Sequence, residues 1–215
     1  MKNNTRHYSK LDQLCMTLDQ TLRVMTGHVT TSRENPAANQ PEPALTAAQA
    51  KHIAGLMRVN HAGEVCAQAL YYGQALVSRD QATQQHLQQA AKEEGDHLAW
   101  CQTRLHELDS HTSYLNPFFY VGSMAIGVTT GLIGDKWSLG FVAETEHQVV
   151  KHLESHLQQL PENDTKTAKI LQQMQDDEAR HHEDAIDSGA ATLPVIVQKL
   201  MSLTSKMMVK TAYWI

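Results

Sequence analysis

The chain is poor in residues that break helices. Its 215 residues include only 11 glycines and 6 prolines, and three of the prolines (Pro36, Pro41, Pro43) fall in one short stretch. Gln, Ala, Leu and His are plentiful instead, a bias toward helix and away from a turn-rich β architecture. Cysteine is scarce too. Cys15, Cys66 and Cys101 are odd in number, widely separated and never in a C-x-x-C pair. That argues against a disulfide frame or a thiolate zinc site and suits buried thiols in a reducing compartment. There is no basic excess: the formal net charge is -5, so nucleic acid is not an expected partner. No Gly-x-Gly-x-x-Gly or other nucleotide pattern occurs, so no recognisable motif supplies an electron donor. The polar stretch Met1 to Lys10 lacks the apolar run of a secretory signal, and cytoplasmic residence is the expectation. At this length one domain with one good core is expected, with a tail outside it.

What the sequence does have is a repeated Glu-x-x-His. The pairs are Glu94 with His97 and Glu178 with His181. Residues three apart on a helix project from one face. Upstream of Glu178, Leu171 and Met174 lie on that same face, which marks it as core-facing. An ionised carboxylate there is costly unless it neutralises, pairs or binds a cation. In each copy a further acid, Glu93 or Asp177, stands just before the Glu.

Taken in order, Leu11, Leu14, Leu18, Leu22 and Met25 predict a short amphipathic helix, so 1–26 reads as an N-terminal extension. Residues 27–45, rich in Pro, Asn, Thr and Ser, read as a linker. Thr46 with Gln49 makes a capping-box start to a helix running to about 79. A break at Ser78 to Asp80 precedes a second helix to about Leu108. Residues 112–134 carry no charge and include Gly127 and Gly131, a small-xxx-small pair; length alone allows a transmembrane span. Asp135 is expected to cap a third helix that Pro161 closes, and the fourth runs from Thr165 to near Gly189. The last segment, 191–215, places Lys199, Lys206 and Lys210 within about 40° of one another on a helical wheel. With Tyr213 and Trp214 at its end, that helix suits a membrane surface.

The helices can be registered against each other. In an antiparallel hairpin, residues equidistant from the turn lie level. Residue 79, midway between Glu64 and Glu94, falls at the first break; residue 162, midway between Glu146 and Glu178, falls beside Pro161. Six candidate ligands follow: Glu64, Glu94, His97, Glu146, Glu178 and His181. One Glu from each of two helices, with a Glu-x-x-His from each of the others, is the recipe of ferritin-like di-iron or di-manganese sites. The fold expected is therefore all-α, a ferritin-like four-helix bundle over 46–190. Oxygen and nitrogen ligands with open positions favour iron that meets dioxygen. The imidazoles need acceptors for their outer nitrogens, and Asp177 and Glu93 are candidates, each reaching the opposite helix. Glu144 competes with Glu146; the separation of Glu146 from Glu178, 32 residues against 30 for Glu64 and Glu94, favours Glu146. His152 divides evenly between a supporting role and ordinary surface. His61, Glu93, His147 and His182 have no spacing argument of their own and read as solvated or supporting; for Tyr71 and Tyr72, core packing is the first reading for one of them and substrate contact the lesser one.

The run Arg58-Val59-Asn60-His61-Ala62-Gly63-Glu64, with Glu94-x-x-His97 and Glu178-x-x-His181 after it, resembles the demethoxyubiquinone hydroxylase (Coq7/Clk-1) family, of bacterial type. The resemblance covers about Ala47 to Ile215. It implies a carboxylate-bridged di-iron centre, two Fe ions per chain, that hydroxylates the ring of a polyprenyl quinol, demethoxyubiquinol, with O2 in ubiquinone biosynthesis. By motif it implies Glu64, Glu94, His97, Glu178 and His181 as ligands. The family's third-helix Glu is followed six residues later by a His, which selects Glu146 with His152. In a ferritin-like bundle the second and third helices run parallel, so 112–134, about 35 Å long if helical, would cross the bundle. It is expected to turn its apolar side to lipid beside the C-terminal helix, as extra membrane-associated helices rather than a span. The resemblance also implies a peripheral protein on the cytoplasmic face of the inner membrane, acting alone, as a homo-oligomer or in a ubiquinone-biosynthesis complex. The rival readings are a ferritin-type iron store, whose polar shell fits poorly with the apolar crossover and C-terminal helix, a di-iron hydroxylase of another substrate, and a structural membrane-associated bundle, which gives no reason for six level ligands.

Overall fold

The computed structural model describes residues 12, 15, 19–24, 27 and 31–215. Residues 19–24 are helical; Leu11, Leu14, Leu18 and Met25, the rest of the amphipathic pattern expected there, lie outside the described residues. No strand occurs among the described residues. The first long helix, α1 (Ala47–Val77), begins at a capping box in which Gln49 N donates to Thr46 Oγ1 and Thr46 N donates back to Gln49 Oε1 at 2.9 Å. Asp80 caps α2 (Gln81–Glu107), accepting from Thr83 N at 2.8 Å. Then come α3 (Asn116–Ile133), α4 (Asp135–Leu157), α5 (Thr165–Asp187) and α6 (Val195–Ala212).

Asp135 is not the cap of α4. Gly134 holds that position with φ 138°, and Asp135 is in the first turn. Its carboxylate accepts from Ser78 Oγ at 2.9 Å and Asp80 N at 3.0 Å, tying the α3–α4 junction to the turn between α1 and α2. The sequence signal for a cap and for this cross-tie is the same lone Asp after Gly.

α1 packs against α2, and α4 against α5, as two hairpins that close into one bundle. Apolar side chains fill both ends. Met57, Trp100, Leu153 and Leu171 meet in one cluster, and Leu70, Leu87, Val142 and Ala185 in another. Burial of these layers supplies most of the driving force for closure.

α3 lies along α1 instead of leaving the protein. A Cβ at Gly127 would overlap the carbonyl of Leu70, and one at Gly131 would meet Val77 and Gln74. The small-xxx-small pair thus serves close packing of two helices of the same chain. No helix among the described residues is long and apolar enough to cross a membrane. α3 and α6 nevertheless present large apolar side chains to solvent, among them Phe118 (76% exposed), Val121, Ile196 and Leu203. Arg58 anchors this side of the molecule: its guanidinium donates to the carbonyls of His111 and Tyr213 and to Ser110 Oγ. That joins the α2–α3 connection and the end of α6 to α1.

Candidate metal centre

Midway between the two apolar layers the four bundle helices present six buried side chains. Glu64 comes from α1, Glu94 and His97 from α2, Glu146 from α4, Glu178 and His181 from α5. They form two overlapping groups. Ligand atoms of Glu64, Glu94, His97 and Glu178 lie within 4.8 Å of one another, as do those of Glu94, Glu146, Glu178 and His181. Each group could hold a metal ion, and Glu94 and Glu178 belong to both. Glu144 stands outside, half-buried and bonded to Gln148 Nε2 at 2.7 Å.

Both imidazoles turn Nδ1 inward and Nε2 outward. His97 Nδ1 lies 3.0 Å from Glu94 Oε2 and 3.0 Å from Glu178 Oε1, while Nε2 meets Asp177 at 3.0 Å. His181 Nδ1 lies 3.3 Å from Glu178 Oε2, while Nε2 meets Glu93 at 2.9 Å. The acid before each Glu therefore braces the histidine of the opposite helix. Donation of Nε2–H to a carboxylate fixes the tautomer that leaves Nδ1 free to ligate. Arg180 spans both braces, reaching Glu93 at 3.1 Å and Asp177 at 2.9 Å.

Charge is tightly crowded. Burial, then the neighbouring Glu178, pushes the Glu64 and Glu146 carboxyls well above the ordinary range. Burial alone would also raise Glu94 and Glu178, but their contacts with His97 and His181 hold both low. The two histidines, although burial opposes their charge, are lifted by the carboxylates around them. The Glu93 carboxyl is held down to about 2, chiefly by its bond to His181. The donor set fits divalent cations. Both oxygens of Glu146 are buried without a hydrogen-bond partner, a cost that a bound cation would offset.

The pH dependence of metal uptake has a definite sign. Glu64, Glu146, His97 and His181 each hold a proton more tightly than in water, and a cation must displace it. Binding therefore releases protons, and affinity rises with pH. Calorimetry of Fe(II) or Co(II) binding in buffers of different ionisation enthalpy counts them; binding without proton release would contradict the arrangement.

Other residues singled out by sequence fall elsewhere. His152 lines the same cavity as Glu64, and its ring centroid lies 4.0 Å from that of His156. His61 is buried against Asn116, with burial lowering its pKa to about 4, and His182 bonds the Ala143 carbonyl. His147 is exposed. Tyr71 belongs to the core, and Tyr72 packs at its edge. Cys101 is buried with Sγ 3.7 Å from Met174 Sδ. Sequence reasoning missed Arg33 and Asp96, which join the braces from outside. Arg33 sits in a stretch without periodicity, and Asp96 is one residue from the candidate ligand His97, on a different helix face.

The cavity, about 510 Å³, lies between α1, α3, α4 and α6. Glu64 and Gly63 line its inner end, and the exposed Phe118 and Met207 line its outer part. Nothing stands within 4 Å of where a Gly63 Cβ would be, so glycine leaves this space open beside Glu64.

A profile of the family described as ubiquinone biosynthesis protein COQ7 matches residues 51–212. The 3-demethoxyubiquinol 3-hydroxylase of Coxiella burnetii (strain RSA 331 / Henzerling II) is 52% identical over 215 residues, 100% of both chains. The protein of the same name from Xanthomonas euvesicatoria pv. vesicatoria is 53% identical over 209 residues, 97% of this chain and 96% of that one. A bundle with paired Glu-x-x-His helices, and a match over most of its length, place the chain plainly: it belongs to the COQ7 family of ubiquinone biosynthesis proteins.

Proposed function

We propose that the protein hydroxylates the ring of demethoxyubiquinol (2-polyprenyl-3-methyl-6-methoxy-1,4-benzoquinol) with O2, at two irons held by Glu64, Glu94, His97, Glu146, Glu178 and His181. The observation that carries the reading is the apolar cavity that runs from the exposed side chains of α3 and α6 to Glu64. A quinol ring with an apolar tail needs such a route, and the names of the relatives agree with that substrate. Iron at this site supplies dioxygen activation. The protein does the rest. Glu64 presents one edge of the site to the cavity, Gly63 makes room for a ring beside it, and the apolar walls keep bulk water out. Asp177 and Glu93 keep both imidazoles in the ligating tautomer. One oxygen atom enters the ring in place of a C–H as C–OH; the other leaves as water, with two electrons and two protons that a quinol or a separate reductase with solvent supplies.

The substrate is a membrane lipid, which bears on where the protein works. The apolar exposed faces of α3 and α6, with Lys199, Lys206 and Lys210 exposed on α6, support a peripheral position on the cytoplasmic face of the inner membrane. There the cavity mouth meets the acyl layer and the lysines meet lipid headgroups. Co-sedimentation with vesicles is expected to require anionic lipid and to weaken with salt; indifference to both would remove the lysines from the account.

The decisive experiment uses iron-loaded, reduced protein, demethoxyubiquinol in detergent and isotopically labelled dioxygen. The expected product carries one labelled oxygen on the ring. Iron that is bound and oxidised while the quinol stays unchanged would sink the substrate assignment and favour storage or another hydroxylation.

A further inference from the structure

Residues 31–45 contain no helix, yet they are not a free tether. Ala37 is buried in the core cluster with Met57 and Trp100. Ser32 and Arg33 surround the carboxylate of Asp96 with four bonds: Ser32 N at 2.6 Å, Ser32 Oγ at 2.9 Å, Arg33 N at 3.3 Å and Arg33 Nε at 2.9 Å. Asp96 is fully covered, and these bonds tie the turn to α2 through a charged acceptor. The same guanidinium then reaches on. Its NH1 donates to Asp177 Oδ2 at 2.7 Å, the oxygen that faces His97 Nε2 at 3.0 Å. The arm rests on Trp100, its guanidinium carbon 4.9 Å from the ring centroid, and Trp100 packs in turn on the His97 ring at 5.4 Å.

Among the described residues no segment outside the bundle supports the brace on His181; Arg180 of α5 instead donates to Glu93 Oε2, the oxygen that faces His181 Nε2, at 3.1 Å. Glu93 is bonded by Gln89 and the half-exposed Arg180, and its side chain is 18% exposed against 6% for Asp177. Six ligands that look symmetric in sequence are thus supported unequally.

We propose that the Ser32–Arg33 turn is part of the metal centre, with Arg33 a positioning residue that fixes Asp177 against His97. The ion position on the His97 side then depends on docking of the segment before α1, and the position on the His181 side does not. Asp96, between ligands Glu94 and His97 on α2, is the dock. A guanidinium suits this task because its fork serves Asp96 and Asp177 at once; an ammonium is a single point. The proposal rests on the reading of the two carboxylate–histidine groups as metal sites.

The test is an anaerobic titration of the full-length protein with Co(II), read by its visible absorption and by competition with a chelator. Wild type is expected to bind two ions per chain. Arg33→Ala is expected to weaken one of them by about 10–100-fold and spare the other, with Arg33→Lys intermediate. Asp96→Asn, which releases the turn, and Asp177→Asn, which keeps it docked, should each weaken the same ion, and its absorption band should change alone. Should Arg33→Ala fail to fold, Asp177→Asn and Arg33→Lys decide. Unchanged affinities, or equal weakening of both ions, overturn the proposal while leaving the metal sites in place. A wild type that binds no cobalt overturns both.

Discussion

Replacing Glu178 by Ala is expected to lower quinol hydroxylation by more than about 100-fold, beyond the range seen when only a ligand's supporting partner is lost. The reason is position. Glu178 belongs to both metal-competent groups and contacts both histidines, His97 at 3.0 Å and His181 at 3.3 Å. Asp176 and Glu183 on the same helix are exposed and lie on other faces of α5. Both ions should therefore be weakened together, in contrast to substitution of Glu146, whose oxygens belong to one group only. Quinol turnover with metal analysis of the purified variant checks this. A Glu178→Ala protein that kept two ions and normal turnover would remove Glu178 from the centre and the shared-carboxylate arrangement with it.

Much of this centre was legible because helical geometry is periodic. A carboxylate and an imidazole three residues apart must share a face, and short turns force equidistant residues level, so the grouping of six side chains from four helices followed from arithmetic. The cross-braces from Asp177 to His97 and Glu93 to His181 were legible for a related reason: each acid precedes a candidate ligand and so points sideways toward the neighbouring helix. The choice of Glu146 over Glu144 rested on two residues of register. What escaped was aperiodic. Arg33 docks through backbone amides and a fork of donors within a Pro-rich stretch, and nothing in that composition distinguishes a docked segment from a tether. The Asp135 cross-tie escaped because a polar residue at a helix start has several ways to satisfy backbone donors, and only the fold decides which donors are near. The uncharged run 112–134 was readable as apolar, but its packing on α1 through Gly127 depends on the matching surface at Leu70, far away in sequence.

Replacing Glu146 by Leu is expected to make the metal-free protein more stable and the metal-loaded protein less so. Without a cation, Glu146 is a carboxyl buried to 1% exposure with neither oxygen hydrogen-bonded. An unsatisfied buried polar group of this kind costs about 1–3 kcal/mol, and a similar-sized apolar side chain among the core layers removes that cost. For a protein of this length a gain of that size raises the melting midpoint by about 2–4 °C per kcal/mol. The opposite holds when metal is present. A ligand that binds only the folded state at 1,000 times its dissociation constant adds about 4 kcal/mol, and the variant forfeits this for the ion next to His181. Thermal melts with and without Fe(II) or Co(II) should therefore cross, Glu146→Leu melting above wild type in chelator and below it in metal. The magnitude of the crossing decides between two accounts of the buried acid. If it were an ordinary packing residue, both melts would move the same way. A centre kept at the expense of the empty fold's own stability moves them apart, which ties the orphaned oxygens of one side chain to the chemistry of the whole bundle.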